Sequence, residues 1–202
     1  MLRVGDIWEN LCIAGLYRNM DWMVVGEAIW LILPAYLANS AAVVLGGGRP
    51  IDSGRTLHGA RLLGDGKTWR GLLSGVAIGI FAGVVMNSVA SDTFGNGVTA
   101  AAIIISLPLG ALIGDMVESF LKRRIGKQSG ESWPVADQMD FLFGALLLSY
   151  LVSVAFEQSS EGNWFLDHFT GWHIAFLLVF TPLVHYLANV VGYVLGLKKV
   201  PW

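Results

Sequence analysis

Residues 98–140 read VTAAAIIISLPLGALIGDMVESFLKRRIGKQSGESWPVADQMD. The first part, Val98–Leu121, is apolar and turns polar only toward its end. As a helix it is long enough to cross about 30 Å of hydrocarbon. Asp115 and Glu118 are three apart and Lys122 lies four beyond Glu118, so the three share one helix face. A basic turn follows, and then a second carboxylate pair at the same spacing, Asp137 and Asp140. Two carboxylate clusters joined by a Lys/Arg-rich turn suit a divalent metal held together with a polyphosphate.

The remainder reads as a membrane scaffold for this stretch. Of 202 residues, 54% are hydrophobic and 14% charged, and the mean hydropathy is +0.60. Soluble domains carry about 25% charged residues. The fold class is therefore an all-α polytopic membrane protein, one integral membrane domain over residues 1–202. Five apolar runs are expected to span: 22–45, 71–90, 98–121, 135–156 and 172–197. They are too long for strands and lack period-two alternation, and helices satisfy their own backbone groups in lipid. Residues 1–21 mix Ile7, Trp8 and Leu11 with Asp6, Glu9 and Arg18, which fits an amphipathic interfacial helix or a plain exposed lead-in. No cleavable signal is evident. A single cysteine, Cys12, excludes an internal disulfide and a multi-cysteine zinc site.

Lysine and arginine set the orientation. The loop after the first span carries Arg49, Arg55, Arg61, Lys67 and Arg70; the loop after the third carries Lys122, Arg123, Arg124 and Lys127; the tail carries Lys198 and Lys199. That places 11 of the 13 cations on one side. The expected topology has the N-terminus outside and the C-terminus in the cytoplasm, in a multi-pass cell-membrane protein. Both carboxylate clusters then lie at one depth on the cytoplasmic side.

Ionisable groups at the hydrocarbon boundary are expensive unless paired, and are functional candidates. Asp115 and Asp137, one from each helix, suit Mg²⁺, which takes one or two carboxylates plus phosphate oxygens. Glu118 and Asp140 would stand beside them or ligate a second ion. The competing reading is a structural ion pair of these carboxylates with Lys122 or Arg123. The first loop, residues 46–71, reads GGGRPIDSGRTLHGARLLGDGKTWRG; its glycines allow close backbone approach and its cations suit phosphate. Gly66-Lys67-Thr68 is not a Walker A ending, since Arg61 stands where the first glycine belongs and no strand precedes it. Asn39 is either a site residue or an interhelical hydrogen-bonding group. Gly75, Gly79 and Gly83, four apart, point to close helix packing, while Glu27, His173 and His185 read as interfacial or packing residues.

The stretch Gly114-Asp115-x-x-Glu118-Ser119-x-x-Lys122-Arg123, followed by Asp137-x-x-Asp140, resembles the signature of the CTP:phosphatidate cytidylyltransferases. Residues 50–72 resemble more closely the archaeal branch of that family, the CDP-archaeol synthases, and the short chain agrees with that branch. The resemblance covers about 39–146. It implies that CTP and an ether-lipid phosphate, 2,3-bis-O-(geranylgeranyl)-sn-glycerol 1-phosphate, give CDP-archaeol and pyrophosphate with Mg²⁺. Asp115 and Asp137 match the family's metal positions, Lys122 and Arg123 its phosphate-contacting pair, and Lys67 and Thr68 the loop that grips the nucleotide; Arg70 beside them is a further candidate nucleotide contact. One departure is that the bacterial signature has a Pro-Gly-His-Gly-Gly run before D-x-x-D, where this chain reads Ser132-Trp133-Pro134-Val135-Ala136, with no histidine.

The implied chemistry agrees with the residues. A phosphate monoester is already a nucleophile, so positioning and charge neutralisation supply most of the catalysis. The expected partners are CTP, the lipid phosphate and membrane lipids, with no nucleic acid; a homodimer is left open. The alternatives are an ester-lipid phosphatidate cytidylyltransferase, a CDP-alcohol phosphotransferase, an ion or proton transporter, or an assembly subunit. A transporter would distribute ionisable groups through the membrane depth, whereas here they gather at one face.

Overall fold

The computed structural model describes residues 22–128, 131, 133, 135–156 and 162–194. The expected interfacial segment 1–21, with Cys12, and the tail lysines 198 and 199 lie outside the described residues.

The chain order is α1 (Trp22–Val44), a two-stranded hairpin of β1 (Thr56–Leu57) and β2 (Ala60–Arg61), α2 (Trp69–Val89), α3 (Gly97–Arg124), α4 (Ala136–Ala155), a short α5 (Trp164–His168) and α6 (Gly171–Val194). The five expected spans correspond to α1, α2, α3, α4 and α6. The first four are long and apolar enough to cross a membrane. The fifth, α6, runs over 24 residues and carries Pro182. Boundaries shift by up to three residues from the hydropathy reading. α2 starts early because Thr68 caps it, its side chain accepting from the Gly71 N–H. α3 runs on through Lys122, Arg123 and Arg124, cations that complement the negative end of the helix dipole.

Two glycine seams set the packing. On α2, Gly71, Gly75, Gly79 and Gly83 are all buried. A Cβ on Gly79 would lie 2.4 Å from Pro108 Cβ of α3 and 2.8 Å from the Pro34 carbonyl of α1. α2 thus lies against both proline-bearing helices, as the four-residue spacing predicts. The second seam joins α3 to α4, the most extensive helix pair, and involves Gly110, Gly114 and Gly144. Their backbones touch, and that contact brings the two carboxylate clusters together.

The core between α1, α3 and α4 includes Ile32, Ile103, Leu107, Phe141 and Leu142. α6 joins α1 through Tyr36 and Thr181, whose hydroxyls are 2.6 Å apart, and through His173, buried and 3.3 Å from Glu27. α5 closes the same end as His173: Trp164 donates to the Thr93 carbonyl, and the Asn163 side chain accepts from Ser153 and Leu166 N–H. The charged loops occupy the opposite end.

Candidate active site

The site is built from the first loop, the last turns of α3 and the first turn of α4. The loop 46–68 is closed at its base by a short antiparallel stem. Ile51 N–H donates to the Lys67 carbonyl (2.8 Å), Trp69 N–H to the Arg49 carbonyl (3.2 Å), and Pro50 bridges Thr68. The stem sets Lys67 facing α3, where its Nζ meets both oxygens of Asp115 at 2.6 and 2.7 Å. These residues lie 48 apart in sequence.

One turn along α3, Glu118 and Lys122 form a second ionic group with Asp137. Lys122 Nζ is 3.1 Å from Glu118 Oε1 and 2.6 Å from Asp137 Oδ1. Both oxygens are buried against this one ammonium. Asp137 is anchored by its other oxygen, which accepts from Trp133 N–H at 3.0 Å. It stands in the first turn of α4, where the helix dipole favours a carboxylate. Just before it Val135 holds φ at +70°, a strained conformation for a β-branched residue. Asp140 stands near Asp115 and Glu118, close enough to feel their charge, and its Oδ1 accepts from Phe141 N–H. The i,i+3 and i,i+4 spacings read from the sequence thus place Asp115, Glu118, Lys122, Asp137 and Asp140 at one end of the α3–α4 seam.

Other expected contact residues have structural partners. Thr68 Oγ1 accepts from both Gly47 and Gly71 N–H. Arg70 donates to the carbonyls of Leu45 and Gly46 and so caps the end of α1. Arg123 is buried and donates to the carbonyls of Leu63 and Lys127. Asn39 is half-buried on α1 and lines none of the cavities described here. Sequence reading underrated Arg124 and Asp52. Arg124 stacks over Phe120 and donates to the carbonyls of Leu57, Ala60 and Arg61, fastening the hairpin to α3. Asp52 is buried, and its carboxyl is held well below the usual carboxylate range by the Arg61 guanidinium and by backbone N–H donors, against the opposing effect of burial.

Two cavities flank the ionic cluster. One, of about 450 Å³, sets polar groups (Asp65, Lys67, Thr68 and Asp115) among apolar ones such as Val43, Ile51 and Leu112. An apolar groove of about 870 Å³ runs along the α3–α4 seam. It passes Leu151, Leu147 and Phe143 and ends at Glu118, Asp140 and Trp133. Asp115 lines the first cavity and Gly114 the groove, so neighbouring residues of α3 face the two spaces. Among the described residues no three of His, Cys, Asp and Glu converge as a ready-made metal site.

A model of the family described as CarS-like CDP-archaeol synthase matches residues 22–202. The chain belongs to this family. It is therefore a multi-pass membrane enzyme of the nucleotidyltransferase class. It is 44% identical to the CDP-archaeol synthase of Methanosarcina acetivorans over 183 residues, covering 85% of this chain and 100% of that one. To the Halobacterium salinarum CDP-archaeol synthase it is 46% identical over 180 residues (87% and 95%), and to that of Thermococcus gammatolerans 44% over 189 residues (93% and 99%). A solved structure of an intramembrane enzyme for archaeal membrane lipids biosynthesis superposes with a TM-score of 0.66 at 40% identity, covering 81% of this chain and 92% of that one. The family signature falls on the two ionic groups just described, which the loop stem and the glycine seam bring to one place.

Proposed function

We propose that this member of the family transfers a cytidylyl group from CTP to the phosphate of 2,3-bis-O-(geranylgeranyl)-sn-glycerol 1-phosphate, giving CDP-archaeol and pyrophosphate. The observation that carries this reading is that the cavity holding Lys67 and Asp115 and the apolar groove ending at Glu118 and Asp140 lie on two faces of the same turns of α3. A soluble triphosphate fits the first, and a lipid whose tails stay in the bilayer fits the second. The basic loops favour the cytoplasmic side for this end of the bundle, where CTP is available.

In the reaction a non-bridging oxygen of the lipid phosphate attacks the α-phosphorus of CTP. One P–O bond forms, the α–β anhydride bond breaks, and pyrophosphate carries away the electron pair. No general base is required. Lys67 and Lys122 would neutralise the phosphates, and their carboxylate partners Asp115 and Asp137 hold them in place. The glycine seam sets the attacking and leaving groups relative to each other by fixing α3 against α4. The donor set fits Mg²⁺ in its chemistry: it is all oxygen, from carboxylates on α3 and α4 that the glycine seam brings together. Asp115 and Asp137 would hold the ion, with Glu118 and Asp140 beside them, and when bound it supplies charge neutralisation at the phosphates. With no closed protein cage among the described residues, metal and nucleotide would bind together.

The test is cytidylyl transfer in detergent from labelled CTP to an ether-lipid phosphate, with folded Asp115→Asn and Asp137→Asn variants alongside. Labelled CDP-lipid from the wild type, absent with EDTA and lost in both variants, is the expected outcome. Activity surviving both substitutions refutes the metal assignment. Product with an ester phosphatidate and none with the ether lipid refutes the lipid assignment.

A further inference from the structure

The first loop has almost no apolar interior. Of residues 46–68 only Asp52, Gly64 and Thr68 are buried, and residues 53–59 are all exposed. Left-handed backbone recurs at Ser53, Gly54, His58, Gly59 and Gly64. Such a segment has little hydrophobic reason to hold one shape. Within it, five hydrogen bonds converge on one carboxylate. Asp52 Oδ1 accepts from Gly54 N–H (3.0 Å) and Arg61 Nη2 (2.7 Å). Its Oδ2 accepts from Arg61 Nε (3.2 Å), Leu63 N–H (3.0 Å) and Gly64 N–H (3.1 Å). Asp52 therefore does in this loop what a packed side chain does in a core, tying together positions up to 12 residues away.

Its place in the chain gives these bonds a consequence. Asp52 directly follows the stem, where Ile51 N–H is bonded to the Lys67 carbonyl. Gly64, at the other end of the carboxylate's reach, stands three residues before Lys67. Both backbone approaches to Lys67 are thus fixed by one side chain. On α3, Arg124 holds the hairpin while Asp115 receives Lys67. These two anchors are nine residues apart, about 13 Å along a helix. The loop between them must keep its shape for the ammonium to arrive at Asp115.

We propose that Asp52 is a positioning residue of the reaction, acting through Lys67: its carboxylate fixes the loop that delivers the Lys67 ammonium to Asp115. The proposal rests on the reading of Lys67 and Asp115 as part of the reaction centre. It is tested by a double-mutant cycle of Asp52→Asn and Lys67→Met on the full chain in detergent, reading kcat and KM for CTP from labelled product. Long incubations resolve the residual turnover of each variant. Asp52→Asn keeps the side-chain shape and removes the charge. On its own it lowers kcat/KM for CTP about 100-fold, the effect of displacing a catalytic group by about 1 Å. With Lys67→Met already present it lowers kcat/KM by no more than about threefold, because the group through which it acts is gone.

A merely structural role reduces the active fraction by the same factor in both backgrounds and leaves KM for CTP unchanged. Either that multiplicative pattern or full activity of Asp52→Asn overturns the proposal while leaving the reaction centre intact. Full activity of Lys67→Met is a separate outcome that refutes the reaction centre itself. Should Asp52→Asn not fold, Arg61→Lys takes its place. It keeps the charge opposite Asp52 but loses the two-pronged guanidinium contact, and the same dependence on Lys67 is required of it.

Discussion

Gly114→Ala adds one methyl group beside the ionic cluster. Its Cβ would fall 2.2 Å from the Asp140 carbonyl oxygen and 3.0 Å from the Cα of Gly144. Both neighbours are α4 backbone, so no side chain can turn aside. Carbon–oxygen contacts settle near 3.3 Å, so α3 and α4 must separate by roughly 1 Å. Overpacking of this kind costs about 1–3 kcal/mol. The same displacement moves Asp137 and Asp140 away from Asp115, next to the new methyl group. A misplacement of about 1 Å in an active site lowers turnover by on the order of 100-fold. The assay pairs a thermal melt in detergent with kcat/KM for CTP. The control is Gly26→Ala on α1, where an added Cβ meets nothing within 4 Å; it is neutral or stabilising because alanine is the better helix former. Wild-type turnover and melting in Gly114→Ala would refute the claim that the seam sets the site.

Three other outcomes are expected. Leu147→Trp in the wall of the apolar groove raises KM for the lipid phosphate and leaves KM for CTP unchanged; equal changes in both would show that the groove is not the lipid path. Lys122→Met leaves Glu118 and Asp137 facing each other without their shared cation, so both stability and kcat fall, kcat by on the order of 10²–10³-fold; Lys122→Arg does not restore activity, since a planar fork cannot replace a point charge between two carboxylates. Because the folded Asp52 carboxyl is held below its unfolded value of about 3.9, its stabilisation is complete above that pH and is lost as pH falls through the folded value. Protection from hydrogen exchange at residues 61–64, relative to the intrinsic rate at each pH, therefore holds from neutral pH to about 4 and falls below, whereas in Asp52→Asn it is low throughout; loss of protection near neutral pH in the wild type would contradict this.

Much of the architecture follows from the chain alone. Apolar runs of about 20 residues can only be helices in lipid, and their positions locate α1, α2, α3, α4 and α6 to within a few residues. The spacing of Asp115, Glu118 and Lys122 determines that they share a face, because helix geometry is local. The same holds for Asp137 and Asp140, and for the glycine stripe of α2. Pairings between distant segments depend on which surfaces meet, and spacing within one segment does not report them. Gly110 and Gly114 look like any glycines in an apolar run until Gly144 lies against them. Lys67 could balance any nearby carboxylate, and only the loop stem and the docked α3 select Asp115, 48 residues on. Asp52 looks like a surface residue in a polar loop, and becomes its centre because the chain folds Arg61, Leu63 and Gly64 back around it. Local periodicity and hydropathy thus determined the helices and the faces that carry charge. Tertiary structure decided which charges meet, because that depends on backbone contacts between segments far apart in the chain.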